Sequence, residues 1–166
     1  MDALTSWIAN LDIPLLTQVA SALNNEALIM LVTFLFVLLA ERRPEKLKKI
    51  LLAIALAVLL ITVAKYAIKT ERPCDSLHSK TECPWSYAFP SGHTLVVFTV
   101  ALAFLNKPVF PFFLIYAIFV AFTRIYLGVH SFEDIAGGVA LSPLIYFTTD
   151  KLWKKISAGR DGKIEK

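Results

Sequence analysis

The sequence predicts an all-α protein: an integral membrane helix bundle of about five transmembrane helices, preceded by an amphipathic helix at the membrane surface. Hydrophobic residues make up 57% of the 166-residue chain and its mean hydropathy is +0.63, values typical of membrane proteins rather than soluble domains. Several apolar runs also approach the ~20 residues that a helix needs to cross the hydrocarbon layer. We expect residues 1–156 to form a single domain and residues 157–166 a cytoplasmic tail.

Residues 1–25 are predicted to form the surface helix. Apolar side chains recur there at helical spacing, although Asp12 and Pro14 interrupt the pattern and polar residues are mixed into it. Such a stretch favours a helix that lies in the interface over one that spans the bilayer, and a disordered leader is the alternative. No signal-peptide pattern is visible, so we expect the mature chain to be the whole chain.

The first two spans are predicted at residues 27–40 and 50–68, joined by a strongly basic loop. That loop, residues 41–49, holds five cations, and basic loops of this kind stay on the cytoplasmic side. The second helix therefore exits on the outer side, where residues 69–90 form an extracytoplasmic loop.

Three further spans are predicted at residues 95–105, 109–122 and 135–153. Helix beginning near Ser91 would give the third span enough length, and Gly137 and Gly138 allow close helix approach in the fifth. The inner side then holds all of the 17 lysines and arginines except Lys65, Lys69, Arg72, Lys80 and Arg124. This bias supports the orientation, and the outer cations call for a functional explanation.

Two separated segments bring positive charge to the outer face in this topology. Lys65 and Arg72 lie two helical turns apart at the end of the second span, where Pro73 would end the helix. Residues 90–93, Pro-Ser-Gly-His, open the third span. Free backbone amides and the positive end of the helix dipole would form an anion site there.

The third segment borders the turn between the fourth and fifth spans and carries Arg124, His130 and Asp134. Because His130 and Asp134 are four residues apart, a helix through both would place them on one face. The carboxylate could then accept a hydrogen bond from one imidazole nitrogen. The other nitrogen would remain free to attack.

Together these groups match a phosphate, which binds forked cationic donors and backbone amides. His130 can attack phosphorus to form a phosphohistidine, and His93 can protonate the leaving oxygen and later activate water. Charge on the equatorial oxygens would be held by a cradle consisting of Lys65, Arg72, Ser91, Gly92 and Arg124. No cofactor is required, and the sequence shows no carboxylate cluster for magnesium.

The spacing of these motifs carries a family resemblance. The pattern is Lys65-x6-Arg72-Pro73, then residues 90–93, then Arg124-x5-His130-x3-Asp134. It resembles the three-part signature of the type-2 phosphatidic acid phosphatase family, which includes glucose-6-phosphatase and the soluble vanadium haloperoxidases. Thr123 stands where the family usually has serine, and the leader replaces the first of six common spans. The resemblance implies that His130 is the nucleophile, Asp134 its partner and His93 the acid, with the cradle binding phosphate.

The resemblance also implies a metal-independent lipid phosphatase of the cytoplasmic (inner) membrane, with its active site facing the periplasm or cell exterior. Its expected partners are the bilayer and a phosphorylated lipid, because a phosphate at the bilayer surface meets the cradle at the same depth. Bacterial relatives act on undecaprenyl pyrophosphate, phosphatidylglycerol phosphate or the 1-phosphate of lipid A. The motifs leave these three open.

Three other functions fit parts of the sequence but are disfavoured. A non-catalytic phosphate-lipid binding or transfer protein is disfavoured because binding alone needs no oriented nucleophile and acid. A haloperoxidase would require vanadate, and the membrane spans disfavour it. The net charge of +4 is compatible with nucleic acid, but no basic stripe is interleaved with exposed aromatic residues, so no nucleic-acid partner is expected.

The outer loop contains both cysteines, Cys74 and Cys83. An oxidising compartment would let them pair, so they are a candidate disulfide. A zinc site with His78 is the alternative, although it offers only three visible ligands. Lys69 is interpreted as a membrane-edge anchor, and Glu133 is expected to face solvent or the rim of the site.

Overall fold

The computed structural model describes residues 2–75 and 79–164, and this part of the chain is all-helical. The absence of strands there confirms the all-α part of the predicted fold class. One 3₁₀ turn covers Pro73–Asp75. The α-helices are α1 (Ala3–Ala9), α2 (Pro14–Asn24), α3 (Glu26–Ala40), α4 (Pro44–Ile68), α5 (Gly92–Ala103), α6 (Phe110–Tyr126) and α7 (Phe132–Ile164).

The leader forms two helices rather than the single helix predicted. Asp2 caps α1, and Pro14 occupies the first turn of α2, where its missing N–H costs no hydrogen bond. Ile8 and Ala20 are buried in a cluster with the end of α6. Part of the leader's apolar surface therefore packs on the protein, while Trp7 stays 63% exposed and Leu15 72%.

The helices differ in their capacity to span a bilayer. Within the described residues, α4 alone is both long enough, at 25 residues, and apolar enough, with a mean hydropathy of 2.4 in its central window. Helices α2 and α3 meet the same criterion only as a pair, and they are bent by 90° at Asn25. Helices α5 and α6 are apolar but shorter, with 12 and 17 residues. The count of five spans stays a prediction.

One end of the bundle is held by ion pairs. Glu41 is 4% exposed and accepts hydrogen bonds from Arg43 Nε at 3.1 Å and from Lys107 Nζ. Asp150 on α7 pairs with Lys49 on α4 at 2.5 Å. The first basic loop, the α5–α6 turn and the distal half of α7 therefore meet at one end, which is the arrangement that the charge count predicts for the inner side.

Helix α5 is the centre of the bundle and packs on α4, α6 and α7. Leu95, Val97 and Val100 on it are at most 2% exposed. Helix α7 approaches the first turn of α5 closely at Gly138, where an added Cβ would lie 2.9 Å from the carbonyl oxygen of Ser91. An added Cβ at Gly137 would likewise overlap the Phe89 ring. The glycine pair thus allows the close approach expected from the sequence.

Three helix ends differ from the predictions and move site residues. Helix α4 ends at Ile68 with Lys69 in the left-handed region at φ 56°, so Arg72 lies in a loop and not two turns along the helix. Helix α6 continues through Arg124. Helix α7 begins only at Phe132, after His130, and it runs on through most of the predicted tail to Ile164.

Candidate active site

A cavity of about 680 Å³ opens at the end of the bundle opposite the Glu41 ion pairs. It lies between α3, α4, the start of α5 and the loop at residues 81–86. All three predicted segments contribute to its lining. The predicted site residues that line it are Lys65, Arg72, Gly92, His93, Arg124 and His130.

His130 is oriented by Asp134, although not by the helical geometry predicted. His130 precedes α7, and its Nδ1 lies 3.2 Å from Asp134 Oδ2. The same carboxylate oxygen accepts the Ser131 N–H at 2.8 Å, while Ser131 Oγ accepts the Asp134 N–H at 3.3 Å. This reciprocal pair is a capping box at the start of α7. The cap of the helix therefore also holds the imidazole.

The other edge of the His130 ring faces Arg72. Arg72 Nη1 lies 3.2 Å from His130 Nε2 and donates to the Val129 carbonyl at 2.9 Å. A guanidinium can only donate, so Nε2 is the acceptor and Nδ1 carries the proton shared with Asp134. The lone pair of Nε2 is thus directed at Arg72, which lines the cavity together with His130.

Burial, together with the nearby cations Arg124 and Arg72, holds the pKa of His130 well below its usual range. His130 is 2% exposed and lies between α6 and α7. The imidazole is therefore neutral near pH 7, which is the form that can act as a nucleophile.

Lys65 and Arg72 also anchor the loop that precedes α5. Lys65 Nζ donates to the Tyr87 carbonyl at 2.6 Å, and Arg72 Nε donates to the Ser86 carbonyl at 2.5 Å. Both cations reach Ser86 Oγ at 3.0 Å. The sequence reasoning did not single out Ser86 or Tyr87, because loop carbonyls leave no local sequence signal.

Two groups in the cavity have unused hydrogen-bonding capacity. Arg124 is 2% exposed, yet its Nε and Nη1 have no partner in the described part of the chain. His93 Nε2, on the first turn of α5, is buried and likewise lacks a partner there. The two Arg124 nitrogens are buried donors, and such donors cost free energy without an acceptor. An anionic ligand in the cavity would complete their hydrogen bonding.

Ser91 lies at the start of α5, as the sequence predicts, but its hydrogen bonds differ from the predicted phosphate contacts. It caps α5 and is fully buried, but its N–H donates to the Asp134 carbonyl at 3.0 Å and is not free for a ligand. Its Oγ accepts from Thr94 Oγ1 at 3.0 Å. Ser91 thereby joins the start of α5 to the first turn of α7, and Gly92 and His93 are the residues of this terminus that line the cavity.

The outer-loop cysteines are joined. Cys74 and Cys83 form a disulfide with their Cα atoms 5.8 Å apart, so their thiolates are not available to a metal. His78, the third ligand of the zinc alternative, lies outside the described residues. Within the described residues, no group of three or more His, Cys, Asp or Glu side chains is arranged to hold a metal ion.

The fold and the cavity define a helical bundle with buried cations and two histidines at one end, and sequence comparison identifies the family. The chain belongs to the PAP2 superfamily, which it matches over residues 46–156. This match covers every predicted site residue and confirms the family resemblance inferred from the three motifs.

Individual relatives agree with this assignment. An undecaprenyl-diphosphatase of Sulfolobus acidocaldarius is 32% identical over 117 residues, which is 66% of this chain and 57% of that protein. The chain therefore spans little more than half the length of that relative. The crystal structure of Aquifex aeolicus LpxE aligns with a TM-score of 0.72 at 26% identity, covering 89% of this chain and 93% of that one.

A second solved structure supports the fold alone. The transmembrane PAP2-type phosphatidylglycerolphosphate phosphatase of Bacillus subtilis aligns with a TM-score of 0.71 at 22% identity. The alignment covers 93% of this chain and 84% of the Bacillus chain. The all-helical bundle described here is thus similar in fold to a membrane PAP2 structure.

Proposed function

We propose that the protein is an integral membrane phosphatase that removes phosphate from a phosphorylated lipid at the outer leaflet. The observation that carries the proposal is the pairing of an oriented, neutral His130 with the unpartnered donors of Arg124 in one cavity. Membership of the PAP2 superfamily supports the same reaction class. A nucleophile beside vacant anion donors is the arrangement that phosphoryl transfer requires.

In the proposed reaction, His130 Nε2 attacks phosphorus and the lipid oxygen leaves with a proton from His93, giving a phosphohistidine. His93 then takes a proton from water, the water oxygen attacks phosphorus, and the phosphorus–nitrogen bond breaks to release inorganic phosphate. Asp134 keeps the proton on Nδ1 throughout. The cations of the cradle and the Gly92 amide hold the charge on the equatorial oxygens.

The walls of the cavity favour a lipid as the rest of the substrate. Beyond the cations, the lining becomes apolar, with Ile29 and Met30 from α3 and Val58 and Ile61 from α4. An acyl or prenyl chain can lie against such a surface while its phosphate reaches the cradle. The relatives' names point to undecaprenyl pyrophosphate and phosphatidylglycerol phosphate, and lipid A 1-phosphate is the third candidate.

The surface of the bundle supports a membrane location with five spans. Large apolar side chains project outward from several helices, including Leu39 (77% exposed), Leu59 (61%), Ile115 (68%) and Phe147 (59%). Apolar surface spread over this many helices exceeds what soluble monomers expose. In this proposal the ion-paired end faces the cytoplasm, by the positive-inside rule, and the active site faces the periplasm or the cell exterior.

Phosphate release from the three candidate lipids, measured in detergent with excess chelator, tests the proposal. We expect the wild-type protein to hydrolyse at least one of them and His130→Ala to abolish release without loss of fold. Glu133→Gln, which alters an exposed neighbour of Asp134, is the matched control and should retain full activity. Ample release by His130→Ala would remove the assignment of the nucleophile.

A non-catalytic phosphate-lipid binding or transfer protein would use the same vacant donors of Arg124. The two functions separate in one experiment, in which lipid binding and phosphate release are measured on the same preparation. Tight binding of a lipid phosphate by wild-type protein, with no release from any of the three lipids, would favour the binding protein.

A further inference from the structure

The first turn of α7 is completed by a residue from the opposite end of the chain. Thr5 Oγ1 accepts a hydrogen bond from the Phe132 N–H at 3.0 Å, across 127 residues of sequence. The first amides of a helix have no acceptor within the helix. Thr5, which is fully buried, therefore satisfies a donor that α7 cannot satisfy itself.

Asp2 fixes the direction of the Thr5 hydroxyl. Asp2 Oδ2 accepts the hydroxyl proton at 2.6 Å, and Asp2 Oδ1 accepts the Thr5 N–H at 2.8 Å. A hydroxyl has one proton and two lone pairs, so donation to Asp2 leaves a lone pair for Phe132. Asp2, which caps α1, thus also orients the Thr5 hydroxyl that accepts a hydrogen bond from α7.

The leader holds the end of α6 in the same way. The Tyr126 hydroxyl lies 3.0 Å from the Ile13 nitrogen and 2.7 Å from Thr17 Oγ1, and Tyr126 is fully buried. Lys80 Nζ donates to the Tyr126 carbonyl at 3.0 Å and also to the Ala9 carbonyl. The turn from α6 to α7, which carries His130, is therefore held at both ends by the leader.

We propose that Thr5 is a positioning residue for His130, an inference that rests on the proposed phosphatase function. Phe132 lies two residues after His130 and two before Asp134, so fixing its amide fixes the segment that sets the contact between imidazole and carboxylate. The bond joins only Thr5 and Phe132 and contacts none of the cradle residues, of which Lys65 lies on α4, Gly92 on α5 and Arg124 on α6. Loss of the bond will therefore lower kcat and leave KM for the lipid nearly unchanged.

The test compares four full-length variants with the wild-type protein by kcat and KM on a lipid phosphate that the wild type hydrolyses. Thr5→Val removes the acceptor at constant shape, and we expect it to lower kcat about tenfold, the scale of one lost buried hydrogen bond. Thr5→Ser restores the hydroxyl and should recover at least half of the wild-type kcat. Ser6→Ala, which removes a neighbouring hydroxyl with no contact to α7, should match the wild type.

Asp2→Ala is the fourth variant. It tests the positioning role of Thr5 even if Thr5→Val does not fold. Asp2 is exposed, and its loss frees the Thr5 hydroxyl to turn, so kcat should fall severalfold with KM unchanged. Wild-type kcat in Thr5→Val or, if that variant is unfolded, in Asp2→Ala would overturn the role of Thr5. Wild-type activity that His130→Ala abolishes shows that the proposed function stands independently, whereas no release by wild type would refute the function itself.

Discussion

His130 and Asp134 are in contact, with Nδ1 and Oδ2 3.2 Å apart, although only Asp134 belongs to a helix. The contact depends on the capping box that Ser131 and Asp134 form at the start of α7. One carboxylate thus performs a structural and a chemical task. Changes at Asp134 are expected to separate these tasks.

Asp134→Asn should lower kcat by roughly 10²- to 10⁴-fold, the range seen when an orienting carboxylate of a catalytic histidine is neutralised. An asparagine oxygen can still accept the Ser131 N–H, so the helix cap survives. The amide, however, cannot stabilise the imidazole as charge develops on it. Phosphate release and thermal unfolding measured on the same sample check this prediction, and a fall in stability without a fall in kcat would contradict it.

Substitution by lysine should have different effects on melting temperature at Arg124 and at Arg72. Arg124→Lys keeps the charge but loses a fork whose Nε and Nη1 make no contact in the described part of the free protein. We therefore expect kcat/KM to fall about 100-fold with little change in melting temperature. Arg72→Lys breaks bonds to Val129 and Ser86 and should lower both quantities. Equal melting-temperature losses in the two variants would contradict the contrast.

Gly138→Ala should destabilise the junction of α5 and α7. The new methyl group would lie 2.9 Å from the Ser91 carbonyl oxygen and 3.0 Å from Thr94 Cβ, so the helices must separate at a cost of about 1–3 kcal/mol. Chemical denaturation measures this loss. Ala136→Ser, at an exposed position on the same helix, is the control, and an unchanged midpoint in Gly138→Ala would count against the close approach.

Glu41 should make stability depend on pH in the acid range. Burial alone would raise the pKa of Glu41, but hydrogen bonds from Lys107 and Arg43 outweigh it and lower the pKa from 4.5 to about 2. Because the folded-state pKa is the lower one, its contribution is complete above pH 4.5 and is lost as the pH falls toward 2. Unfolding curves at pH 7, 4.5 and 3 should show this loss.

The matched variant for this effect is Glu41→Gln. It removes the titrating group while it keeps the size of the side chain. We expect it to be less stable than the wild type at pH 7 and to lose less stability between pH 4.5 and 3. Parallel losses in the two proteins over that interval would assign the acid sensitivity to other carboxyl groups.

The sequence predicted that the three motifs meet at one end of the bundle, whereas phosphate binding by the cradle stays a prediction. Lys65, Arg72, His93, Arg124 and His130 come together as expected, since each lies where an apolar run ends at the same side of the bundle. The family match then confirms the resemblance. Charge bias and apolar length are long-range signals that survive errors of a few residues at helix ends.

Contacts that depend on local backbone geometry were not predicted. The second span was predicted to end at residue 68, where α4 does end. Nothing in the sequence around Lys69 requires a left-handed residue, so the helix was wrongly expected to continue to Pro73. The three-residue spacing of Ser131 and Asp134 is that of a capping box. It was not predicted, because His130 and Asp134 were expected to lie in one helix, which would leave no helix start at Ser131. The bond between Thr5 and Phe132 joins distant segments and leaves no periodic signal.

Within the described residues, Nε and Nη1 of Arg124 have no hydrogen-bond partner. In the proposed reaction, inorganic phosphate offers these nitrogens the same kind of oxygens as the phosphorylated lipid does, with an added charge. The product is therefore expected to bind where the substrate binds, so added phosphate should inhibit the reaction competitively.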